Sequence, residues 1–77
     1  MTIGSTIKML RREHEITQER LAELLNVSAS AVSQWETDRV MPDVTQIPIL
    51  ANIFDVSADV ILGIDIERKA EKIKEIL

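Results

Sequence analysis

The sequence predicts a small all-α domain, and three observations carry that prediction. Apolar residues recur at helical spacing, first as Ile3, Ile7 and Leu10, with His14 continuing the same face at i, i+4, i+7 and i+11. Helix-capping side chains, Thr17, Ser28 and Ser57 among them, stand directly ahead of apolar runs of that period. Aromatic content is only 3%, and alternating Val, Ile and Thr are scarce, which argues against a sheet. Seventy-seven residues suffice for one domain.

The elements follow in order. The first helix runs from Ile3 to near Glu15. Thr17 caps a second helix whose apolar side is Leu21, Ala22, Leu24 and Leu25. Asn26 tolerates the left-handed conformation of a tight turn, and Val27 then points inward. Ser28 caps a third helix that packs through Ala31, Val32 and Trp35, while Ala29, Ser30, Ser33 and Gln34 fall on its other sides. Thr37 to Pro42 reads as a loop. Asp43 or Thr45 caps a fourth helix carrying Ile47, Leu50, Ala51 and Phe54. Pro48 fits only a first helical turn, so this helix starts close to Thr45 or begins with a distorted turn. Asp55-Val56-Ser57 repeats the turn-plus-cap pattern ahead of a short fifth helix, Val60-Ile61-Leu62, stopped by Gly63. Ile66, Ala70, Ile73 and Leu77 form the stripe of a sixth, amphipathic helix. The expected division is a helix-turn-helix domain over residues 1–63 and an amphipathic helix over 64–77, a dimerisation element or the start of a further domain.

Two short helices joined by a tight turn, the second with small polar side chains facing outward, form a unit that inserts its second helix into the DNA major groove. Helices crossing steeply through so short a turn approach closely, and Ala22 is small enough to permit it.

Composition excludes several function classes. Without Cys there is no disulfide and no Cys-based metal site, and His14 is the lone histidine. There is no catalytic constellation and no Gly-rich phosphate loop, so an enzyme and a cofactor are not expected. No apolar run approaches the roughly 20 residues of a membrane span, and the N-terminal residues do not resemble a signal peptide, so a cytoplasmic protein is expected. The net charge of −4 weighs against a generic DNA-binding surface. Arg68, Lys69, Lys72 and Lys74 crowd the last ten positions, which leaves residues 1–67 acidic. DNA contact must then rest on few cations and on helix N-terminal amides.

Several short signals now combine: Leu10-Arg11, Ile16-Thr17-Gln18, Leu21-Ala22, Val27-Ser28, Val32-Ser33-Gln34-Trp35-Glu36, Pro42, Leu50-Ala51, and Phe54-Asp55-Val56-Ser57 through to Leu62-Gly63. On these, residues 3–63 resemble the XRE family, the Cro and phage-repressor type of helix-turn-helix. The resemblance implies a compact five-helix domain that binds double-stranded operator DNA as a homodimer. It implies a phosphate contact at Gln18, base reading by Ala29, Ser30, Ser33 and Gln34, and a backbone contact at Arg39. Thr17, Ser28 and Thr37 join that DNA-binding set. Arg11 and Glu36 match a structural salt bridge between the first and third helices. Three positions depart from the family pattern. Glu15 stands where Gly or Asn is usual, Asn26 replaces a turn Gly, and Asp38 replaces the Gly after Trp-Glu. Asn26 and Asp38 tolerate positive φ, whereas Glu15 does so less readily and its turn is expected to differ. Asp38 and Glu15 also bring negative charge towards the expected phosphate contacts.

Gln34 has a functional reading as a bidentate partner of adenine N6 and N7, and a plain one as an exposed helix residue. Ser30 and Ser33 suit phosphate or bases, and Ala29 suits a thymine methyl. Lys8 and Arg12 read as solvated, and Trp35 and His14 as packing residues. Two function classes follow. One is a sequence-specific transcriptional regulator, a repressor by family likeness, bound to a palindromic operator. The other is a protein-interaction module or antitoxin-like regulator with weak DNA binding, which the acidic balance favours. The apolar stripe of the last helix needs cover: a dimer partner, its own domain, or a further C-terminal sensing or oligomerising domain with its effector.

Overall fold

Thr2 opens the first helix with a reciprocal cap. Its hydroxyl accepts from the Ser5 amide and the Ser5 hydroxyl accepts from the Thr2 amide, both at 3.0 Å. The structure is a computed structural model that describes residues 2–63; the expected helix over 64–77 lies outside the described residues. Helices α1 (Ile3–Glu13), α2 (Gln18–Leu25) and α3 (Ala29–Glu36) are followed by a 3-10 turn (Val44–Gln46), α4 (Ile47–Phe54) and α5 (Ala58–Leu62). The first helix closes two residues short of Glu15, with His14 as its C-cap.

The caps read from the sequence are in place. The Thr17, Ser28 and Ser57 hydroxyls accept from the amides three residues on, at 3.0, 3.1 and 3.3 Å. At α4 the distorted start prevails. Asp43 caps the 3-10 turn by accepting from the Thr45 amide at 3.2 Å, and α4 then carries Pro48 in its first turn, where the missing N–H costs least.

Four non-glycine residues hold positive φ: Glu15 (55°), Asn26 (58°), Asp38 (59°) and Asp55 (53°). Glu15 therefore does not make the different turn expected of it. The Ile16 amide donates to the Arg11 carbonyl at 3.0 Å, and an Arg11 Nη1–H donates to the Ile16 carbonyl at 2.9 Å. These two bonds between Arg11 and Ile16 close the turn over Glu15 and override its steric preference, a strain of roughly 1–2 kcal/mol.

One core unites the five helices. Ile7 and Leu10 of α1 meet Leu21, Ala22 and Leu25 of α2, Val32 and Trp35 of α3, Leu50 and Phe54 of α4, and Ile61 of α5. Helix α3 packs on α1 and α2, and α5 returns to α1, so α1 ties the α2–α3 pair to the rest of the domain. Val27 is only half-buried. His14 packs at the edge, its ring 5.2 Å from that of Phe54 and its Nδ1–H donating to the Leu10 carbonyl at 2.8 Å.

Candidate nucleic-acid interface

The outer face of α3 is set by what its inner face buries. Val32 and Trp35 point into the core, so Ser30 and Gln34 stand in solvent, with Ala29 and Ser33 half-buried beside them. The Gln34 Nε2 lies 3.5 Å from the Ser30 Oγ, one helical turn away. Thr37, exposed at the end of α3, donates back to the Ser33 carbonyl at 3.1 Å. Thr17 and Ser28 are exposed at the starts of α2 and α3; each uses an oxygen lone pair as a cap and keeps a hydroxyl proton to donate. Arg39 is exposed in the loop after α3, its amide donating to the Gln34 carbonyl at 3.0 Å.

Beneath this face lies a charged joint. Arg11 Nε donates to Glu36 Oε2 at 2.6 Å and Nη2 to Oε1 at 3.0 Å, with side chains 13% and 2% exposed. Burial alone pushes the Glu36 carboxyl up. Hydrogen bonds from Arg11 and Gln18 and the charges of Arg11 and Lys8 outweigh it and hold the group below its ordinary value. The Arg11 guanidinium is correspondingly raised, chiefly by its hydrogen bond to Glu36. Gln18, half-buried at the first position of α2, belongs to this joint: its Nε2 donates to Glu36 Oε1 at 3.1 Å. One amide N–H thus ties α2 to α3, and the second remains for an outside acceptor. No local signal in the sequence announces that link.

Asp38, expected to bring negative charge towards the phosphate contacts, is engaged elsewhere. Its carboxylate faces the start of α1, where Oδ2 accepts from the Thr2 hydroxyl at 2.8 Å and Oδ1 from the Gly4 amide at 3.1 Å. Gly4 makes this approach feasible, since a Cβ there would strike the Trp35 carbonyl oxygen and come within 2.6 Å of Asp38 Oδ1. A glycine inside a helix where alanine would be better is the one sequence signal that marked the contact.

Cations are few. Among the described residues Arg11 pairs with Glu36 and Arg20 with Glu23, leaving Lys8, Arg12 and Arg39 outside ion pairs. The set expected to touch DNA thus falls on the starts of α2 and α3, the outside of α3 and the loop behind it. A helix-turn-helix family model matches residues 7–61. The chain belongs to the helix-turn-helix family. It is 36% identical over 75 residues to the HTH-type transcriptional regulator YobD of Bacillus subtilis, covering 92% of this chain and 67% of that one. It is 35% identical over 63 residues to the immunity repressor protein of Bacillus phage phi105, covering 82% of this chain and 44% of that one. The chain thus spans two thirds of one relative and less than half of the other. Among solved structures, the P22 c2 repressor protein in complex with a synthetic operator superposes with a TM-score of 0.78 at 29% identity, over 84% of this chain and 98% of that one. No helix among the described residues is long and apolar enough to cross a membrane.

Proposed function

We propose that this helix-turn-helix protein is a DNA-binding transcriptional regulator that places α3 in the major groove of an operator. The carrying observation is the outer face of α3, where Ser30 and Gln34 stand exposed on a helix fixed from behind by Val32, Trp35 and the Arg11–Glu36 joint. Gln34 reads a base as a two-point partner of adenine. Ser30, Ser33 and Ala29 add short contacts, and Thr17, Gln18, Ser28, Thr37 and Arg39 hold the phosphate backbone. The likeness to an operator-bound repressor and to an immunity repressor supports a repressor acting in the cytoplasm. Two copies bind a palindromic site with their α3 helices about 34 Å apart, one turn of DNA.

Selection from a random-sequence duplex library, run beside a Gln34→Ala variant, tests this reading. A palindromic consensus is expected, relaxed in the variant at one position per half-site by about 1–3 kcal/mol of discrimination. Failure of the folded protein to enrich any sequence would refute it. With three cations outside ion pairs among the described residues, about two phosphates are neutralised per protomer, so log affinity against log salt should fall with a slope of only about −4 per dimer. A slope steeper than about −5 would contradict the sparse contact set.

A second reading, docking of a partner protein, is favoured by the exposed Val40, Met41 and Val44 beside Arg39 and by the net charge of −4. Under it, substituting Ser30 and Gln34 leaves partner binding unchanged.

A further inference from the structure

Asp38 follows the recognition helix by two residues and sits next to Arg39, yet its carboxylate is committed to the far end of the chain. It takes one hydrogen bond from the Thr2 hydroxyl at 2.8 Å and one from the Gly4 amide at 3.1 Å. The Gly4 amide is one of the donors that the first turn of a helix leaves without an internal acceptor, so a carboxylate there is favoured by both the hydrogen bond and the helix dipole. The Asp38 amide donates to the Trp35 carbonyl at 3.1 Å. Behind it the Arg39 and Val40 amides both donate to the Gln34 carbonyl, at 3.0 and 3.4 Å. The segment 38–40 is therefore wrapped around the end of α3 from one side and clasped to the start of α1 from the other. Arg39 itself makes no ion pair among the described residues, so its placement comes from its backbone.

We propose that Asp38 is a positioning residue of the DNA interface. By capping α1 from across the chain it holds the loop bearing Arg39 against the end of α3, so that the guanidinium meets a phosphate from a preset position and little conformational entropy is lost on binding. The start of α1, Thr2 and Gly4, is then part of the DNA-binding apparatus although neither residue is assigned a contact with DNA. The same clasp explains how an aspartate is tolerated beside an expected phosphate contact: its charge is directed to the α1 amides. This inference rests on the proposed role of Arg39 in DNA binding.

The test uses the full 77-residue chain and the duplex enriched by the selection above. Asp38→Gly keeps a backbone suited to φ 59° and removes the clasp. Asp38→Asn keeps positive φ and an acceptor for the Gly4 amide while removing the charge. Arg39→Ala and the Asp38→Gly/Arg39→Ala double variant complete the set, with thermal unfolding confirming that each is folded. If Asp38 positions Arg39, Asp38→Gly weakens binding of the dimer about a hundredfold, the scale of one charge-assisted hydrogen bond in each protomer. It also lowers the magnitude of the salt slope by about two per dimer, the share of one phosphate contact in each protomer. The double variant then binds no worse than Arg39→Ala, and Asp38→Asn binds at least as well as the parent. A purely structural role would leave the salt slope of the folded variant unchanged and so overturn the proposal. Equal tightening by Asp38→Gly and Asp38→Asn would show a repelling charge in place of a clasp and overturn it as well. Additive losses in the double variant, or a silent Arg39→Ala, would overturn it while leaving DNA binding intact. Absence of DNA binding by the parent chain would remove both this inference and the function beneath it.

Discussion

Replacing Glu36 with Ala is expected to cost the domain about 3 kcal/mol, the lower end of what breaking a buried ion pair costs. Glu36 accepts from Arg11 twice and from Gln18 once, and its side chain is only 2% exposed. Its removal strands the Arg11 guanidinium against the Ile16 carbonyl and cuts the tie between α2 and α3. For a chain of this size the whole stability is about 4–11 kcal/mol, so the variant keeps only about 1–8 kcal/mol and should melt well below the parent. The Arg11→Met/Glu36→Leu double variant should be more stable than either single variant, because no charge is then left in a partly dry site. Urea unfolding of the parent, Glu36→Ala, Arg11→Met, Glu36→Leu and the double variant checks this. A loss below about 1 kcal/mol for Glu36→Ala would mean that the pair behaves as an ordinary surface bridge.

The pH dependence has a definite sign. The Glu36 carboxyl lies lower in the folded chain than its ordinary value of 4.5. The unfolded state therefore binds the proton more readily, and the stabilisation is complete above that ordinary value. It drains away as pH falls through the folded value. In Arg11→Met the effect of burial on Glu36 loses its main opponents and the carboxyl moves up. The contribution then reverses, being greatest in acid and lost as pH rises through the raised folded value. Melting temperatures from pH 3 to 7 would separate the two profiles, and parallel profiles would refute the coupling.

Much of this arrangement is legible in the sequence alone. Local chemistry marked the caps Thr17, Ser28 and Ser57, and helical spacing marked Leu21, Val32, Trp35 and Phe54 as core; both signals are complete within a few residues of chain. The family resemblance paired Arg11 with Glu36, and the two do meet. What stayed hidden depends on residues far apart in sequence. Nothing near Gln18 announces that its amide will turn to a carboxylate 18 positions on, and nothing near Asp38 announces Thr2 and Gly4. Glu15 shows the converse. Its own preference pointed away from positive φ, and hydrogen bonds made by its neighbours decided otherwise. The base-reading assignments are of another kind again, since a fold can expose Ser30 and Gln34 without telling which base they meet.

Gly4→Ala should destabilise the domain by about 2 kcal/mol, although a helix argument taken alone predicts a gain of roughly 1 kcal/mol from replacing glycine inside a helix. The opposing effect is steric. The new methyl would fall on the Trp35 carbonyl oxygen, a backbone atom of the last turn of α3, and within 2.6 Å of the Asp38 carboxylate. The carboxylate can swing aside at the expense of its bond to the Gly4 amide; the carbonyl moves only if α3 or the start of α1 moves. Overpacking of this kind costs about 1–3 kcal/mol, and losing the Asp38 cap adds about 1 kcal/mol more. Together these exceed the helix gain. At this chain length the melting temperature should fall by roughly 10 °C. Because the displaced backbone is that of α3 and its following loop, DNA affinity should drop even where the variant remains folded, with the proposed contact of Arg39 most affected. A variant as stable as the parent would show that α1 can retreat from α3 without loss. The close approach of the two helices would then be incidental to the stability of the α2–α3 pair.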